Sequence, residues 1–381
     1  MASHALPLPA SELPEALRRF GDPSAPMPAR TMAAKGLVPV KGEQLVALLT
    51  QLSADSDAGI AKAASSTLSG LPEGVLLSAC ESDLHAAFLD RIAELFPSHD
   101  EVLERIVSNG GTGDETIERV ARMCSERVSE AIAVNQQRLL GAPKIVEALY
   151  KNKATRMSTA DRLIELCARH GVELDGIPAF QAHVAAIQGQ LIPEPSDEPL
   201  PSDMDFREAL AHDDDDAEAI EQDKVDGTET LKKKFQPLWS KIGQMSVSEK
   251  LRMATIGDSA ARAVLVRDPN RMVSYAAIAS PTTSDAEAAR IANSKEVAED
   301  ILRYIGNKRE WVRNYEVKRS LAFNPKTPLG IALRYLSHMR DSDLKNLARS
   351  RNVPASVKQA AQQRIAQKQR GSARGGGGGK R

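Results

Sequence analysis

The sequence predicts an all-α protein of stacked helical repeats, about 43–44 residues each, in two arrays joined by a disordered acidic linker. Three observations predict this fold class. Apolar residues recur at helical spacing along most of the chain, and no stretch of useful length alternates as a strand does. In addition, the chain repeats itself twice at a fixed offset. Each repeat would bury its apolar stripe against its neighbours, so the arrays would present an extended surface.

The clearer repeat lies in the first half of the chain. Residues 102–124 match residues 145–167 at an offset of 43, which places Asn109 on Asn152. The apolar positions coincide as well, so the two stretches share one helical pattern. A repeat of this length with helical periodicity is typical of stacked helical-repeat proteins.

A second repeat lies in the other half, where residues 273–292 match residues 317–336 at an offset of 44. In all four stretches an Asn or Ser stands three residues before a Thr. These positions are Asn109, Asn152, Ser280 and Asn324. Asn, Ser and Pro end one helix, and the Thr or its neighbour caps the next. We therefore interpret them as helix corners and not as a ligand site.

The three cysteines, Cys80, Cys124 and Cys167, are 44 and 43 residues apart and so follow the repeat. An odd number of cysteines without paired spacing argues against a disulfide framework. Since free cysteine packs as a small apolar residue, we expect all three at equivalent buried positions and none as a metal ligand.

Composition divides the chain into five segments. The first is a flexible arm rich in Pro and Ala, in which prolines interrupt any helix. A helical-repeat domain follows, then an acidic disordered linker, a second helical-repeat domain in which Ser246 and Glu249 form a capping box, and a basic Gly-rich tail. Their predicted bounds are residues 1–40, 41–192, 193–228, 229–368 and 369–381.

Charge is distributed unevenly, although the chain has a net charge of only −1. The stretch from Glu194 to Glu229 holds 15 acidic and 2 basic residues, whereas the stretch from Arg303 to Arg381 holds 19 basic and 4 acidic ones. The acidic run at 213–216 lacks the Gly and the alternating carboxylates of a calcium loop. We therefore interpret it as a solvated charge run.

Residues 321–354 resemble the leucine-rich repeat variant family and its HEAT-like relatives. Those proteins carry an Asn-Pro-x-Thr-Pro turn, an aliphatic helix and an Asp-containing turn, and this chain has NPKTP, LGIALRYL and DSD in that order. The match is good over about 35 residues and degenerate elsewhere. The resemblance implies a right-handed α-solenoid of HEAT-like repeats that serves binding. The clustered cysteines of the family's iron–sulfur module are missing here.

No motif for catalysis is present in the sequence. The seven histidines are scattered, no HExxH, GxSxG, P-loop or GxGxxG occurs, and the terminal glycines form a simple run. The sequence therefore predicts a protein that is not an enzyme and that has no cofactor and no metal site.

The basic region near the C-terminus is the sharpest functional signal. Basic and aromatic residues interleave there, and Trp311 and Tyr315 are spaced to share one helix face. The candidate polyanion-binding residues are Arg303, Lys308, Arg309, Trp311, Arg313, Tyr315, Lys318 and Arg319. Either the aromatics belong to a core under a solvated basic face, or they form a surface that binds phosphates and stacks bases.

These observations predict a noncatalytic scaffold or adaptor that binds a protein partner. The alternative is a nucleic-acid-binding protein that uses the basic C-terminal repeats and tail. The polyanion bound there could also be an acidic protein or the chain's own linker. No signal peptide and no apolar stretch long enough for membrane insertion is present, so we expect a cytoplasmic protein.

Overall fold

A computed structural model describes residues 6–211, 220–222 and 229–375 of the chain. Over these ranges the chain is helical apart from turns and one short hairpin, in which β1 (Ile220–Gln222) pairs antiparallel with β2 (Glu229–Leu231). The predicted all-α class is confirmed. None of the described helices is long and apolar enough to cross a membrane.

The helices form two compact units. Unit 1 comprises Met1–Gly176 and Ile192–Pro199, and unit 2 comprises Ile177–Leu191 and Leu200–Arg381. The sequence predicts a boundary at residue 192, after the last helix of the first domain. The structure groups that helix with unit 2 instead, because it packs on a helix of that unit.

In unit 1 successive helices alternate between two layers, because most of them contact the helix two places further along the chain when the short α10 is left out. The first layer comprises α1 (Glu15–Gly21), α3 (Gly42–Leu52), α5 (Glu73–Glu81), α7 (Asp100–Ser108), α9 (Glu126–Ala133) and α12 (Met157–Arg169). The second layer comprises α2 (Met27–Ala34), α4 (Ala58–Ser69), α6 (Ala86–Leu95), α8 (Asp114–Ala121) and α11 (Pro143–Lys151), preceded by α10 (Gln136–Gly141).

Unit 2 is built on the same plan. Its first layer comprises α13 (Phe180–Ile187), α16 (Val247–Ile256), α18 (Arg271–Ala279), α20 (Glu299–Asn307), α22 (Leu329–Leu336) and α24 (Ala355–Gly375). Its second layer comprises α15 (Gln236–Gln244), α17 (Ser259–Leu265), α19 (Asp285–Asn293), α21 (Tyr315–Phe323) and α23 (Asp341–Arg349). The remaining helix, α14 (Pro201–Leu210), packs on α15.

Neighbouring helices of one layer are about 29 residues apart in sequence. The Arg119 guanidinium donates to the Asp90 carbonyl at 3.0 Å in unit 1, and the Tyr335 hydroxyl donates to the Gly306 carbonyl at 2.5 Å in unit 2. The structural repeat is therefore a helix pair of about 29 residues. The predicted offset of 43–44 residues is one and a half of these steps, so it spans three helices and aligns helices of opposite layers.

The predicted corner residues join neighbouring helix pairs. The Asn152 side chain donates to the carbonyls of Ala121 at 3.0 Å and Cys124 at 2.9 Å. The Asn324 side chain donates in the same way to the carbonyl of Ala292 at 2.8 Å. Each Asn thus satisfies carbonyl groups at the end of an earlier helix that would otherwise be left without partners.

This Asn corner occurs in both layers. Asn109 follows α7 and Asn152 follows α11, which lie in opposite layers. This explains why the sequence matches itself after three helices.

The predicted capping of the next helix by the Thr or its neighbour is found after Thr283, where the Ser284 hydroxyl accepts the Glu287 N–H at 3.2 Å. It is not found after Thr112, whose hydroxyl donates back to the Ile106 carbonyl at 2.6 Å, because Gly113 precedes α8 without a side-chain cap.

The structure folds residues 6–40 onto unit 1, where the sequence predicts a flexible arm. Leu8 is buried, and its backbone N–H and carbonyl bond the Gln51 side chain at 2.9 and 2.8 Å. Pro28 lies in the first turn of α2, where a missing N–H costs nothing. The prolines therefore begin a helix here and do not interrupt one.

The predicted linker, 193–228, contains a packed helix. Phe206 of α14 is buried, and the Arg252 guanidinium lies 5.4 Å from the centre of its ring. The acidic run at 213–216 lies outside the described residues. At the other end of unit 2, α24 extends into the predicted basic tail, and residues 376–381 lie outside the described residues.

Candidate functional site

The structure distributes the eight candidate residues over two helices and the loop between them. Arg303 lies on α20; Lys308 and Arg309 follow it; Trp311 and Arg313 form the ends of a 3-10 helix; Tyr315, Lys318 and Arg319 lie on α21. Because α20 and α21 belong to different layers, these residues do not share one helix face.

Trp311 is buried, with only 4% of its surface exposed. Its ring meets Tyr304 edge to face, with 5.9 Å between ring centres. The Lys308 ammonium lies 3.9 Å from the centre of the indole, a cation–π contact. With one face covered and the rest packed, Trp311 offers no platform on which a base could stack.

Tyr315 is held by a separate cluster. Its hydroxyl donates to the Asp343 carboxylate and accepts the Arg340 N–H at 3.0 Å, while the Arg340 guanidinium lies 4.5 Å from the ring centre. Burial, and then the hydrogen bond to Asp343, raise the pKa of Tyr315. The sequence predicts that Trp311 and Tyr315 share a helix face. They do not, because Asn314 ends the 3-10 helix and caps α21.

The candidate cations differ in whether they are paired. Arg303 forms an ion pair with Glu299 at 2.6 Å, and Arg319 forms one with Asp343 at 3.2 Å. The others have no carboxylate within 4.0 Å among the described residues; they are Lys308, Arg309, Arg313 and Lys318. These four charges are available to an anionic ligand.

A row of apolar side chains crosses the first layer of unit 2. Tyr275 of α18 is 49% exposed and meets the half-buried Tyr304 of α20 edge to face, 5.2 Å between ring centres. Leu333 of α22 is 38% exposed. It is the fifth residue of its helix, as Tyr275 is of α18; on α20 that place belongs to Arg303, and Tyr304 is the next residue. We call Tyr275, Tyr304 and Leu333 the apolar row.

Contacts between the helices fix the register of the apolar row. Beyond Leu333, Arg334 donates to the Asn307 side chain at 3.4 Å. Gly306 lets α20 and α22 approach closely, because a Cβ there would lie 2.7 Å from Ile331 Cγ2. The row is therefore built on helices whose spacing is set by packing. Two further exposed apolar side chains lie beside it, Met272 and Leu329.

The apolar row is not apparent from the sequence. Tyr275, Tyr304 and Leu333 each look like one more apolar residue of an amphipathic helix. The signal that points to them is that Tyr275 and Leu333 hold the same place in α18 and α22, with Tyr304 on the helix between, and the stronger match at 43–44 residues hides it. That match aligns α18 with α21, across the two layers, and so separates residues that lie side by side.

Unit 1 contains a cleft of about 700 Å³ beside the glycine-rich loop 110–113. Its arginines are already paired, Arg119 with Asp90 at 2.8 Å and Arg138 with Asp114 at 2.9 Å. Within the described ranges, no three His, Cys, Asp or Glu side chains are placed to hold a metal ion. The apolar row and the cations beside it are the stronger candidate for a functional site.

Comparison of the chain with models of protein families, with curated proteins and with solved structures finds no match in any of the three.

Proposed function

We propose that this protein is a noncatalytic scaffold or adaptor of the cytoplasm that binds another protein along a helical surface. In this proposal each unit is a HEAT-like α-solenoid array, as the leucine-rich repeat variant resemblance of residues 321–354 implies. The observation that carries the proposal is the apolar row, since exposed apolar side chains in adjacent positions are typical of interaction sites.

The state of the aromatic rings favours a protein partner over a nucleic acid. Binding of single strands relies on exposed ring faces on which bases stack. Trp311 is buried beneath Lys308, and Arg340 covers a face of Tyr315. The exposed members of the row are Tyr275 and Leu333, and a leucine suits the apolar side chains of a protein.

The second candidate is nucleic-acid binding through the basic C-terminal repeats and tail. It is supported by the four cations that have no carboxylate partner among the described residues, Lys308, Arg309, Arg313 and Lys318. Such contacts would be made to phosphates, and their affinity would fall steeply with salt.

Site-specific photocrosslinking tests the two candidates directly. A benzophenone side chain at position 333 should crosslink a defined polypeptide in cells that express the protein, because this position lies in the row. The same probe at Leu191, which is 96% exposed and lies outside the row, is the matched control. The captured protein is then purified and must bind the unmodified chain in isolation. Crosslinks to nucleic acid alone, or equal capture at both positions, would contradict the scaffold.

A further inference from the structure

We propose that the apolar row binds an acidic amphipathic helix of the partner protein, laid across α18, α20 and α22. This inference rests on the proposed function and adds the chemistry and the orientation of the partner segment. The apolar face of that helix would cover Tyr275, Tyr304 and Leu333, and its carboxylates would meet the cations on one side of the row.

One side of the row is basic and unpaired. Lys308 lies 5.9 Å from the centre of the Tyr304 ring, Arg309 follows it, and Arg334 is next to Leu333. Arg334 bonds the neutral Asn307, and none of the three has a carboxylate within 4.0 Å among the described residues. Glu310 is the only acidic residue in the loop that joins α20 to α21.

On the other side of the row most of the charges are paired. Arg271 of α18 forms an ion pair with Asp300 of α20, and Arg303 pairs with Glu299 at 2.6 Å. These charges neutralise each other across and along the helices.

Lys326, which precedes α22 on this side, is exposed and has no carboxylate within 4.0 Å among the described residues. A ligand that covers the row therefore meets more uncompensated positive charge on the flank of Lys308, Arg309 and Arg334 than on this one. This asymmetry selects a ligand with carboxylates on the matching flank.

The dimensions of the row suit a helix. Packed helices lie about 8–10 Å apart, so a row crossing three of them is about 20 Å long. A helix of about 14 residues covers that length at about 1.5 Å per residue. Its apolar residues at i and i+7 are separated by about 10 Å, which is close to the spacing between successive members of the row.

The charges argue against a second copy of this chain as the occupant. A symmetric contact whose two-fold axis crosses the row would bring Arg309 and Arg334 of one copy towards the same residues of the other. One whose axis runs along the row would place them opposite Arg271 and Asp300, whose carboxylate is already paired. Like charges held together in an interface are unfavourable. An acidic segment removes this repulsion, and it leaves the apolar contact unchanged.

The test is a selection of displayed 16-residue peptides, random in sequence but biased towards helix formers, on the full-length chain. A parallel selection uses the double variant Tyr275→Ser and Leu333→Ser, whose replaced side chains are exposed. We expect the wild-type chain to enrich peptides of negative net charge with apolar residues at i, i+3 or i+4, and i+7. The double variant should enrich none of them.

Fluorescence anisotropy of the enriched peptides then measures how much the apolar row and the cations each contribute to the affinity. The dissociation constant should rise about tenfold or more in the double variant, since buried anchors dominate such contacts. Arg309→Glu should weaken binding several-fold, and added salt should reduce the difference. Leu191→Ser and Arg290→Glu change an exposed leucine and an exposed arginine outside the row and should leave the dissociation constant unchanged.

The other outcomes each contradict one part of the proposal. Enriched peptides that are neutral or basic, or that bind Arg309→Glu equally well, overturn the acidic partner but leave a protein-binding row. Peptides that bind the double variant as tightly as the wild type overturn the row itself. If no peptide is enriched, this inference fails. If in addition a 20-nucleotide oligothymidylate binds the wild type but not the double variant, the proposed scaffold fails as well.

Discussion

Units 1 and 2 stack their helices in the same way but differ in how they treat their surface charges. In unit 1 acidic and basic residues join neighbouring helices of a layer, as Glu81 does with Arg105 at 2.5 Å and Glu104 with Arg127 at 2.6 Å. In unit 2 the apolar row crosses the first layer, and Lys308, Arg309 and Arg334 beside it have no carboxylate partner among the described residues. Stacking and surface chemistry are therefore set by different residues and can change separately.

The chain contains separate probes for the two units. Both tryptophans, Trp239 and Trp311, lie in unit 2, and all three cysteines, Cys80, Cys124 and Cys167, lie in unit 1. Tryptophan fluorescence therefore reports the unfolding of unit 2, and thiol reactivity reports the opening of unit 1.

The largest effect is expected at a buried ion pair of unit 2. Arg262 bonds Glu287 at 2.8 and 3.1 Å, and both side chains are only 6% exposed. Glu287→Gln leaves a buried guanidinium without its counter-charge, which should lower the free energy of unfolding by about 3–5 kcal/mol. Urea unfolding, monitored by tryptophan fluorescence, measures this change in the free energy of unfolding.

The control for this prediction is the exposed pair of unit 1. Glu104→Gln removes the partner of Arg127, which remains solvated, so thiol reactivity should not change. Equal destabilisation by both variants would show that burial does not decide how much an ion pair contributes to stability.

The corner asparagines should matter equally in both units. Asn152→Ala and Asn324→Ala each leave two buried carbonyls without a donor, which should cost about 1–3 kcal/mol. Thiol labelling measures the first variant and tryptophan fluorescence the second. Asn109 is less buried, so Asn109→Ala should cost less. A large effect in only one unit would contradict a shared corner.

The spacing of α20 and α22 offers a test confined to unit 2. Gly306→Ala places a methyl group 2.7 Å from Ile331 Cγ2, and this overpacking should cost about 1–3 kcal/mol. It should also weaken binding at the apolar row. In Gly330→Ala the new methyl group has no neighbour within 4 Å, so this control should be neutral or stabilising by up to about 1 kcal/mol.

The smallest effect concerns the thiols of unit 1. Burial raises the pKa of Cys80 and Cys124 to about 12 and that of Cys167 to about 11, from 9.0. Labelling of the native protein at neutral pH should therefore be slow at all three. Rapid labelling of any one before unfolding would contradict its burial.

The same shifts predict a pH dependence. The raised native pKa values favour the folded state fully below pH 9, and this contribution is lost as the pH rises through about 11–12. A Cys80→Ala variant should show a shallower loss of stability above pH 9 than the wild type does. Urea titrations at pH 8 and pH 10 make the comparison.

The sequence predicts the helices and their corners because these depend on local periodicity and on hydrogen bonds that an Asn makes wherever a helix ends. The burial of Leu8 could not be predicted in this way, since it depends on Gln51, 43 residues away. The apolar row was missed for a related reason. Its members become neighbours only when the layer of each helix is known, and local sequence does not encode the layer.

The shared corner has a consequence for how such a chain changes length. Asn109 and Asn152 lie in opposite layers, and each donates to two carbonyls at the end of an earlier helix. A helix that ends in such an Asn therefore fits in either layer. The unit of insertion or deletion is then one helix and not one helix pair. Insertion of an odd number of helices would move every later helix to the opposite layer. A surface such as the apolar row would then lie on the opposite side without any change in its own sequence.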